Sequence, residues 1–418
     1  MRKEGFSELV SLSQALKIMD SFITPILDEE VVLEKSLGRI LAEDIISPIS
    51  VPHFRKSAMD GFAVIASDTF GANDNQPKRL TIIDTISAGM VSKKSIAHNQ
   101  CAEIATGAPI PEGADAVIMV EYTEVRGQKT EQKEKALIIY KSVAPGDNVI
   151  EIGSDIKSGT LIFSKGTQLN SRYTGVLAAM GISSVRVKNK PIVGVLSTGN
   201  EIISTGNTLT DGKIYDINSR TLIDALIEQN CEPVNLGLAK DNKTELKNKI
   251  LDGIKDCDLL LVSGGSSLGT EDLMKEIVSE AGELLVHGIA VKPGKPTIIA
   301  KILGKPVIGL PGHPTSALSD FYILVLPVLK KMLGIKPEEV QPQVEIIEAE
   351  LSRKVVSTIG RYEFLTVKIN VVNSKKYATP VLRGSSAITT LATADGFIEI
   401  SENTEVITKG EIVKVRLF

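Results

Sequence analysis

Between residues 189 and 333 short apolar runs alternate with longer amphipathic segments. "PIVGVLSTG" is an apolar run that ends in small polar residues, which predicts a buried strand. "NSRTLIDALIEQN" predicts a helix with Leu222, Ile223, Leu226 and Ile227 on one face. The pattern continues with a strand in "PVNLGLA" and a helix in "TELKNKILDGI", which aligns Leu246, Ile250, Leu251 and Ile254. A strand in "DLLLVSGG", a helix in "DLMKEIVSEAG", strands in "TIIAKI" and "KPVIGLPG", and a closing helix in "PTSALSDFYILVLPVLKKML" complete it. Strands and amphipathic helices in this order predict a mostly parallel sheet covered on both faces, a three-layer α/β domain.

The flanks read differently. The stretch to about residue 48 predicts helices, with a Ser-Leu-Gly-Arg turn between "VVLEK" and "ILAEDII". From Pro52 short β runs follow: "LTIIDTI", "CAEIAT", "DAVIMVEYTEV" and "ALIIYKSV", with "RGQKTEQKEK" as an exposed hairpin loop. "LNSRYTGVLAAMG" predicts a helix capped by Asn170 or Ser171 and stopped by Gly181. Beyond Pro337 five strand-like runs predict a small antiparallel barrel or sandwich.

Composition narrows the function. A chain of 418 residues suits roughly two to four domains. A net charge of −4 and 4% aromatics argue against a nucleic-acid binder, which needs a basic surface or stacking platforms. Cys101, Cys231 and Cys257 lie far apart, as do His53, His98, His287 and His313, so neither a disulfide framework nor a histidine metal cluster is expected. The amphipathic N-terminus lacks a signal-peptide pattern, and "FYILVLPVLKKMLG" is too short to span a bilayer, so a soluble, cytoplasmic protein is expected.

Open α/β sheets bind ligands beyond the carboxyl ends of their strands. Four such ends carry Ser197, Thr198, Gly199, Asn200 and Glu201; Lys240, Asp241 and Asn242; Ser263, Gly264, Gly265 and Ser266, running on to Asp272; and Pro311, Gly312, His313 and Pro314. Small polar residues are what any βα turn needs, but four together on one sheet edge favour a ligand site. The Gly-rich loop has neither Walker lysine spacing nor a GxGxxG, so by itself it names no nucleotide. Glycines let backbone N–H groups face an anion at a helix start. Glu201, Asp241 and Asp272 would repel a bare phosphate, so a shared site calls for a divalent cation, and oxygen ligands favour Mg²⁺. Asp241 suits a helix N-cap equally well. "VKPGKPT" holds Lys292 and Lys295 on a proline-stiffened turn that is either a solvated loop or an anion clamp. Asp60, Thr106 and Asp155 are the outliers of the β-rich region.

Together "SAMDGFAV", "TGAPIPEGADAVIMVE", "GSDI", "LSTGNEI", "YDINS", "SGGSSLGTEDL", "VKPGKPT" and "GLPGHPTSAL", in this order, resemble the molybdopterin molybdenumtransferase family of the MoeA and gephyrin E-domain type. The resemblance implies a homodimer of four-domain protomers. These are a connecting domain of helical and extended segments (1–30, 47–54, 149–188), a β-rich domain (55–148), an α/β molybdopterin-binding domain (31–46, 189–335) and a C-terminal β-barrel (336–418). It implies Mg²⁺-dependent insertion of molybdate into adenylylated molybdopterin, with release of AMP. Other molybdenum-cofactor biosynthesis proteins are the implied further partners, and nucleic acid and membrane are not.

Carried over by position, Asp272, Glu201 and Asp241 surround the phosphates, with Asp272 and Glu201 as the metal ligands. Gly264, Gly265 and Ser266 form the anion cradle, beside Ser197, Thr198, Gly199, Ser263, Asp216, Asn218 and Ser219. Lys292, Lys295, Pro311, Gly312, His313 and Pro314 line the pterin and molybdate side, with Arg361 and Ser385 from the barrel. Asp60, Thr106 and Asp155 come from the β-rich region, across the dimer cleft. Two positions depart from the family pattern: Ile150 stands where Arg is frequent, and His313 where Asn is common. A peptide-binding scaffold and an adenylyltransferase confined to the α/β domain are the rival classes. The acids and both lysines favour the transferase over the first, and the additional domains favour it over the second.

Overall fold

The computed structural model describes residues 9–127, 135–264, 268–335, 346–382 and 387–418, except the side chains of 268–272 and 391. The chain forms two compact units, one of Met1–Glu43, Gly166–Leu169 and Val185–Phe418, the other of Asp44–Lys165 and Asn170–Ser184.

The larger unit is built on a six-stranded sheet in the order Glu232–Ala239, Ile192–Thr198, Leu259–Gly264, Lys305–Leu310, Ile298–Ile302, Gly282–His287. The first four are parallel, and Ile298–Ile302 runs antiparallel to both of its neighbours. The reversal follows from a two-residue turn, Leu303 and Gly304, both with positive φ, a hairpin connection that cannot join parallel neighbours. Alternation buries both faces. Val193, Val195, Leu259 and Leu261 join Leu222, Leu226 and Phe321 in one core, while Leu196, Leu260 and Val262 meet Leu246, Ile250 and Ile277 in another.

Helix Asn218–Glu228 turns Leu222, Ala225 and Leu226 inward and packs Ile223 at the margin, but Ile227 is exposed. At about 100° per residue Ile227 lies beyond the edge of the stripe centred on Leu222 and Leu226. Helix Lys243–Lys255 is capped by Asn242, which accepts from the backbone N–H groups of Thr244 and Glu245, so Asp241 is not the cap. The closing helix is one helical run, Pro314–Asp320, Phe321–Val325 and Leu326–Met332. Its middle segment is a π turn, whose wider register accommodates the missing N–H of Pro327.

The predicted N-terminal helices hold only over Leu12–Asp20, where Ser11 and Gln14 form a capping box. "VVLEK" is strand Asp28–Val32 followed by a single 3₁₀ turn. "ILAEDII" is extended, with bridges from Ile40 to Gln168 and Leu41 to Val187, and strand Ile45–Ile46 pairs with Leu161–Phe163. The β-branched pairs Val31-Val32 and Ile45-Ile46 favour this pleated backbone.

The C-terminal strands Tyr362–Val372, Lys375–Pro380, Ile346–Leu351, Ile412–Leu417 and Gly396–Ile400 close into a barrel, the last pairing back with the first. It is not purely antiparallel, since Ile346–Leu351 runs parallel to Lys375–Pro380. A closed ring of five strands cannot alternate direction throughout, so one parallel pair is obligatory. Val291–Lys292 adds to the barrel alongside Tyr362 and Glu363.

The smaller unit carries a six-stranded mixed sheet in the order Ala116–Met119, Gly61–Val64, Gln100–Ile104, Lys78–Ile86, Ala136–Ile139, Thr123–Arg126. Phe62 and Val64 enter one core and Ala63 the other. The expected hairpin is present, with Arg126 opposite Ala136; its tip lies outside the described residues. Helix Ser171–Ala179 is capped by Asn170 and followed by Gly181 at φ +76°.

Candidate functional site

The parallel strands bring their carboxyl ends to one edge of the larger unit, and there the polar residues satisfy one another. Ser197 and Thr198 are fully buried at the end of Ile192–Thr198. Ser197 Oγ donates to Asp216 Oδ1 at 3.1 Å. Asp216 also accepts from the N–H of Ser219 at 3.1 Å and from its hydroxyl at 2.6 Å, so it caps the start of helix Asn218–Glu228. Thr198 Oγ1 donates to Asp241 Oδ1 at 3.0 Å, and the N–H of Asn200 to Asp241 Oδ2 at 3.3 Å. Asn218, 8% exposed, donates to Ser263 Oγ at 2.8 Å and to the carbonyl of Gly312 at 2.9 Å. Ser263 Oγ in turn donates to the Pro311 carbonyl at 3.4 Å. Four strand ends and one helix start are thereby tied together.

Beside it, Glu201 is half-buried next to Gly199, where any Cβ would press on the Glu201 carboxylate at 2.8 Å. Lys213 Nζ donates to the Asn200 carbonyl at 2.5 Å. Gly264 ends its strand half-buried. Gly265 and Ser266 lie outside the described residues, and so does the side chain of Asp272, whose backbone belongs to helix Leu268–Ala281. Among the described residues no three His, Cys, Asp or Glu side chains form a metal cluster.

A second wall is formed where the sheet meets the barrel. Lys292 Nζ lies 3.1 and 3.2 Å from the two carboxylate oxygens of Glu363, directly across the pairing of Val291–Lys292 with the barrel. The Glu363 side chain is 8% exposed and also accepts from Ser357 Oγ at 2.7 Å. A cavity of about 460 Å³ opens here, lined by Lys292, Pro293, Thr315, Ser319, Glu363 and Thr390. Thr390 Oγ1 is buried and has no partner among the described residues. Pro311 is buried, Gly312, His313 and Pro314 are half-buried, and Arg361 is half-buried on the 358–361 turn; Ser385 is outside the described residues. The carbonyl of Lys295 accepts from the N–H of Ile289.

In the smaller unit Asp60 and Thr106 are brought together. Asp60 Oδ1 accepts from the N–H of Thr106 at 2.7 Å and from its hydroxyl at 2.8 Å, and these bonds, the backbone one foremost, hold the carboxyl below the usual carboxylate range. Asp155 stays apart on an exposed turn, its N–H bonded to the carbonyl of Val51. Ile150 is half-buried in a two-residue strand paired with Lys56–Ser57.

Glu363, Ser319 and Thr390 were not legible as site residues. Glu363 carried one signal, its place two residues after Arg361 in "GRYEF". No thiol nucleophile is available: all three cysteines are buried and free, and burial pushes the Cys101 and Cys231 thiols up to about 12. No helix among the described residues is long and apolar enough to cross a membrane.

Comparison with known proteins agrees with this architecture along the chain. Residues 10–181 match the family described as "MoeA N-terminal region (domain I and II)". Residues 201–331 match "Probable molybdopterin binding domain", and residues 348–418 match "MoeA C-terminal region (domain IV)". A molybdopterin molybdenumtransferase from Haemophilus influenzae is 34% identical over 413 residues, covering 98% of this chain and 99% of its own length. One from Bacillus subtilis is 35% identical over 393 residues, covering 93% and 89%. The crystal structure of a molybdopterin biosynthesis MoeA protein from Pyrococcus horikosii superposes with a TM-score of 0.83 at 44% identity, covering 98% of this chain and 99% of that one. With relatives this similar over nearly its whole length, the chain belongs to the MoeA family of molybdopterin molybdenumtransferases.

Proposed function

We propose that this molybdopterin molybdenumtransferase inserts molybdate into the dithiolene of adenylylated molybdopterin, with Mg²⁺ bound and AMP released. Its place in molybdenum cofactor biosynthesis follows from the family. The observation that supports the finer reading is the strand-end network. Ser197, Thr198, Asn218 and Ser263 are held by internal hydrogen bonds at the edge of a parallel sheet, where α/β folds bind phosphates.

In this reading Glu201, Asp241 and Asp272, with Gly264, Gly265 and Ser266, surround the adenylate phosphates, and Asp216 and Ser219 keep the neighbouring helix start in register. Asp241 is already bonded through both carboxylate oxygens, which suits a positioning role for the 198–200 segment. Glu201 and Asp272 offer the hard oxygen donors that Mg²⁺ prefers. Mg²⁺, when bound, supplies charge neutralisation at the phosphates. A carboxylate of this wall orients a water whose oxygen bonds to the adenylate phosphorus as the bridging phosphorus–oxygen bond breaks, so AMP leaves and molybdopterin keeps its own phosphate. The two dithiolene sulfurs bond to molybdenum as one molybdate oxygen departs as water with the two thiol protons.

Lys292, Lys295, Arg361 and Ser385, with the turn at Pro311, Gly312, His313 and Pro314, receive the pterin and the oxyanion. Asp60, Thr106 and Asp155 of the β-rich region complete the site from the partner of a cytoplasmic homodimer. The four-domain partition of 1–30, 47–54 and 149–188; 55–148; 31–46 and 189–335; and 336–418 is part of the same proposal. The test supplies purified protein with adenylylated molybdopterin, Mg²⁺ and molybdate. AMP and active cofactor should appear together and only with the metal ion present. Binding of the substrate without AMP release would sink the reading. Competition between molybdate and tungstate in the same assay decides which oxyanion is preferred.

A further inference from the structure

Asp320 is a buried acid that the site described above does not use. It ends the helix that starts at Pro314, and it is 1% exposed. Its Oδ2 contacts Thr297 Oγ1, and the same hydroxyl lies 2.7 Å from the carbonyl of Gly294. Oδ1 has no hydrogen-bond partner among the described residues. It is packed onto Gly294, where a Cβ would overlap it. Gly294 has φ +118°, a conformation that side-chain-bearing residues rarely adopt.

The Thr297 hydroxyl has one proton for two acceptors, the Gly294 carbonyl and, when Asp320 is ionised, its Oδ2. A neutral Asp320 carboxyl supplies the second proton, so that each contact has its own. Burial supports the same state, since it lifts the carboxyl well above the usual carboxylate range, against a smaller opposing effect of the Thr297 bond. The charged or titratable groups on the packed segments are Lys292 and Lys295 on the turn and His313 at the head of the helix, and none of them is among the causes of that shift.

We infer that Asp320 is a positioning residue, which donates its carboxyl proton to Thr297 and thereby fixes the 291–297 turn against the helix that begins at the 311–314 segment. The relay runs from Asp320 through Thr297 to the Gly294 carbonyl, between Lys292 and Lys295. It aims both lysines without touching the ligand. This rests on the reading of that turn as the oxyanion side of the site. Gly294 is required because the acid fills the space a side chain would take.

The test has two arms on the full-length protein. Infrared difference spectra of wild type against Asp320→Asn at neutral pH should show a protonated-carboxyl C=O band that the variant lacks; ionised-carboxylate bands in its place would overturn the inference. In turnover, Asp320→Asn keeps a donor toward Thr297 and should leave KM for molybdate within about twofold, whereas Asp320→Ala should raise it about tenfold with kcat little changed. Equal shifts in both variants, or none in either, would overturn it too. If Asp320→Ala does not fold, Thr297→Val breaks the same relay and should raise KM likewise. The infrared arm needs no substrate. The band in a protein that releases no AMP would sink the proposed reaction and keep the brace; its absence from an active protein would do the opposite.

Discussion

The two walls of the site are built on different physical terms. At the strand ends hydroxyls, amides and carboxylates are bonded to one another within the protein: Ser197 and Ser219 to Asp216, Thr198 to Asp241, Asn218 to Ser263 and Gly312. Such a wall is preorganised, because its dipoles are already oriented when a ligand arrives. The wall between sheet and barrel instead keeps exchangeable groups. Lys292 is 41% exposed and held by the carboxylate of Glu363, and Thr390, which lines the cavity, has a buried Oγ1 without a partner among the described residues. The first arrangement suits a phosphate group held in one geometry. The second suits a small oxyanion that must enter and leave.

Breaking the preorganised wall should have the largest effect. Asp216→Ala removes the cap of Asn218–Glu228 and the partner of Ser197, and should cost about 1–2 kcal/mol of stability in denaturant unfolding. Displacing the strand-end hydroxyls should slow AMP release by about 100-fold. The exchangeable wall should respond in the opposite sense. Glu363→Gln removes the anion that competes for Lys292, so KM for molybdate should fall by roughly fivefold, the equivalent of about 1 kcal/mol for a part-exposed pair. A weaker response to molybdate would show that Glu363 does not compete with the oxyanion.

The smallest effect belongs to Asp60. Its folded-state pKa is depressed, so the stability it contributes is present above the ordinary carboxylate pKa and is lost as pH falls through the folded value. Wild type should therefore unfold slightly later than Asp60→Asn at neutral pH, and the gap should close below about pH 4. A gap that widens in acid would contradict the Asp60–Thr106 geometry.

What could be read from residue order follows from the range of the forces involved. Apolar runs with small polar endings located five of the six strands of the α/β sheet, because burial on both faces imposes that texture locally; the edge strand Gly282–His287, part-exposed and directly continuous with helix Leu268–Ala281, was not read. The antiparallel pairing of Ile298–Ile302 with Lys305–Leu310 was not visible, although Leu303 and Gly304 form its turn, since a two-residue link between two apolar runs was not weighed as a hairpin. "VVLEK" and "ILAEDII" have helix-compatible spacing, and bridges to residues 168 and 187 and a strand at 161–163, all distant in sequence, make them extended instead. Asp241 was read as a possible cap, and only the positions of Thr198 and Asn242 showed that Asp241 serves the strand end while Asn242 caps the helix. Glu363 and Asp320 were missed for one reason: each meets its partner across a long stretch of chain, Lys292 at 71 residues and Thr297 at 23. An acid inside the apolar "SALSDFYILVL" was the available signal for Asp320.

The division of labour between the walls is tested most directly by AMP release as a function of molybdate concentration in Asp272→Asn and Lys292→Ala. Asp272→Asn should abolish release at every molybdate concentration. Lys292→Ala should keep the maximal rate and need at least about tenfold more molybdate to reach it. AMP release at the wild-type rate by Asp272→Asn, or an unchanged molybdate requirement in Lys292→Ala, would contradict the account.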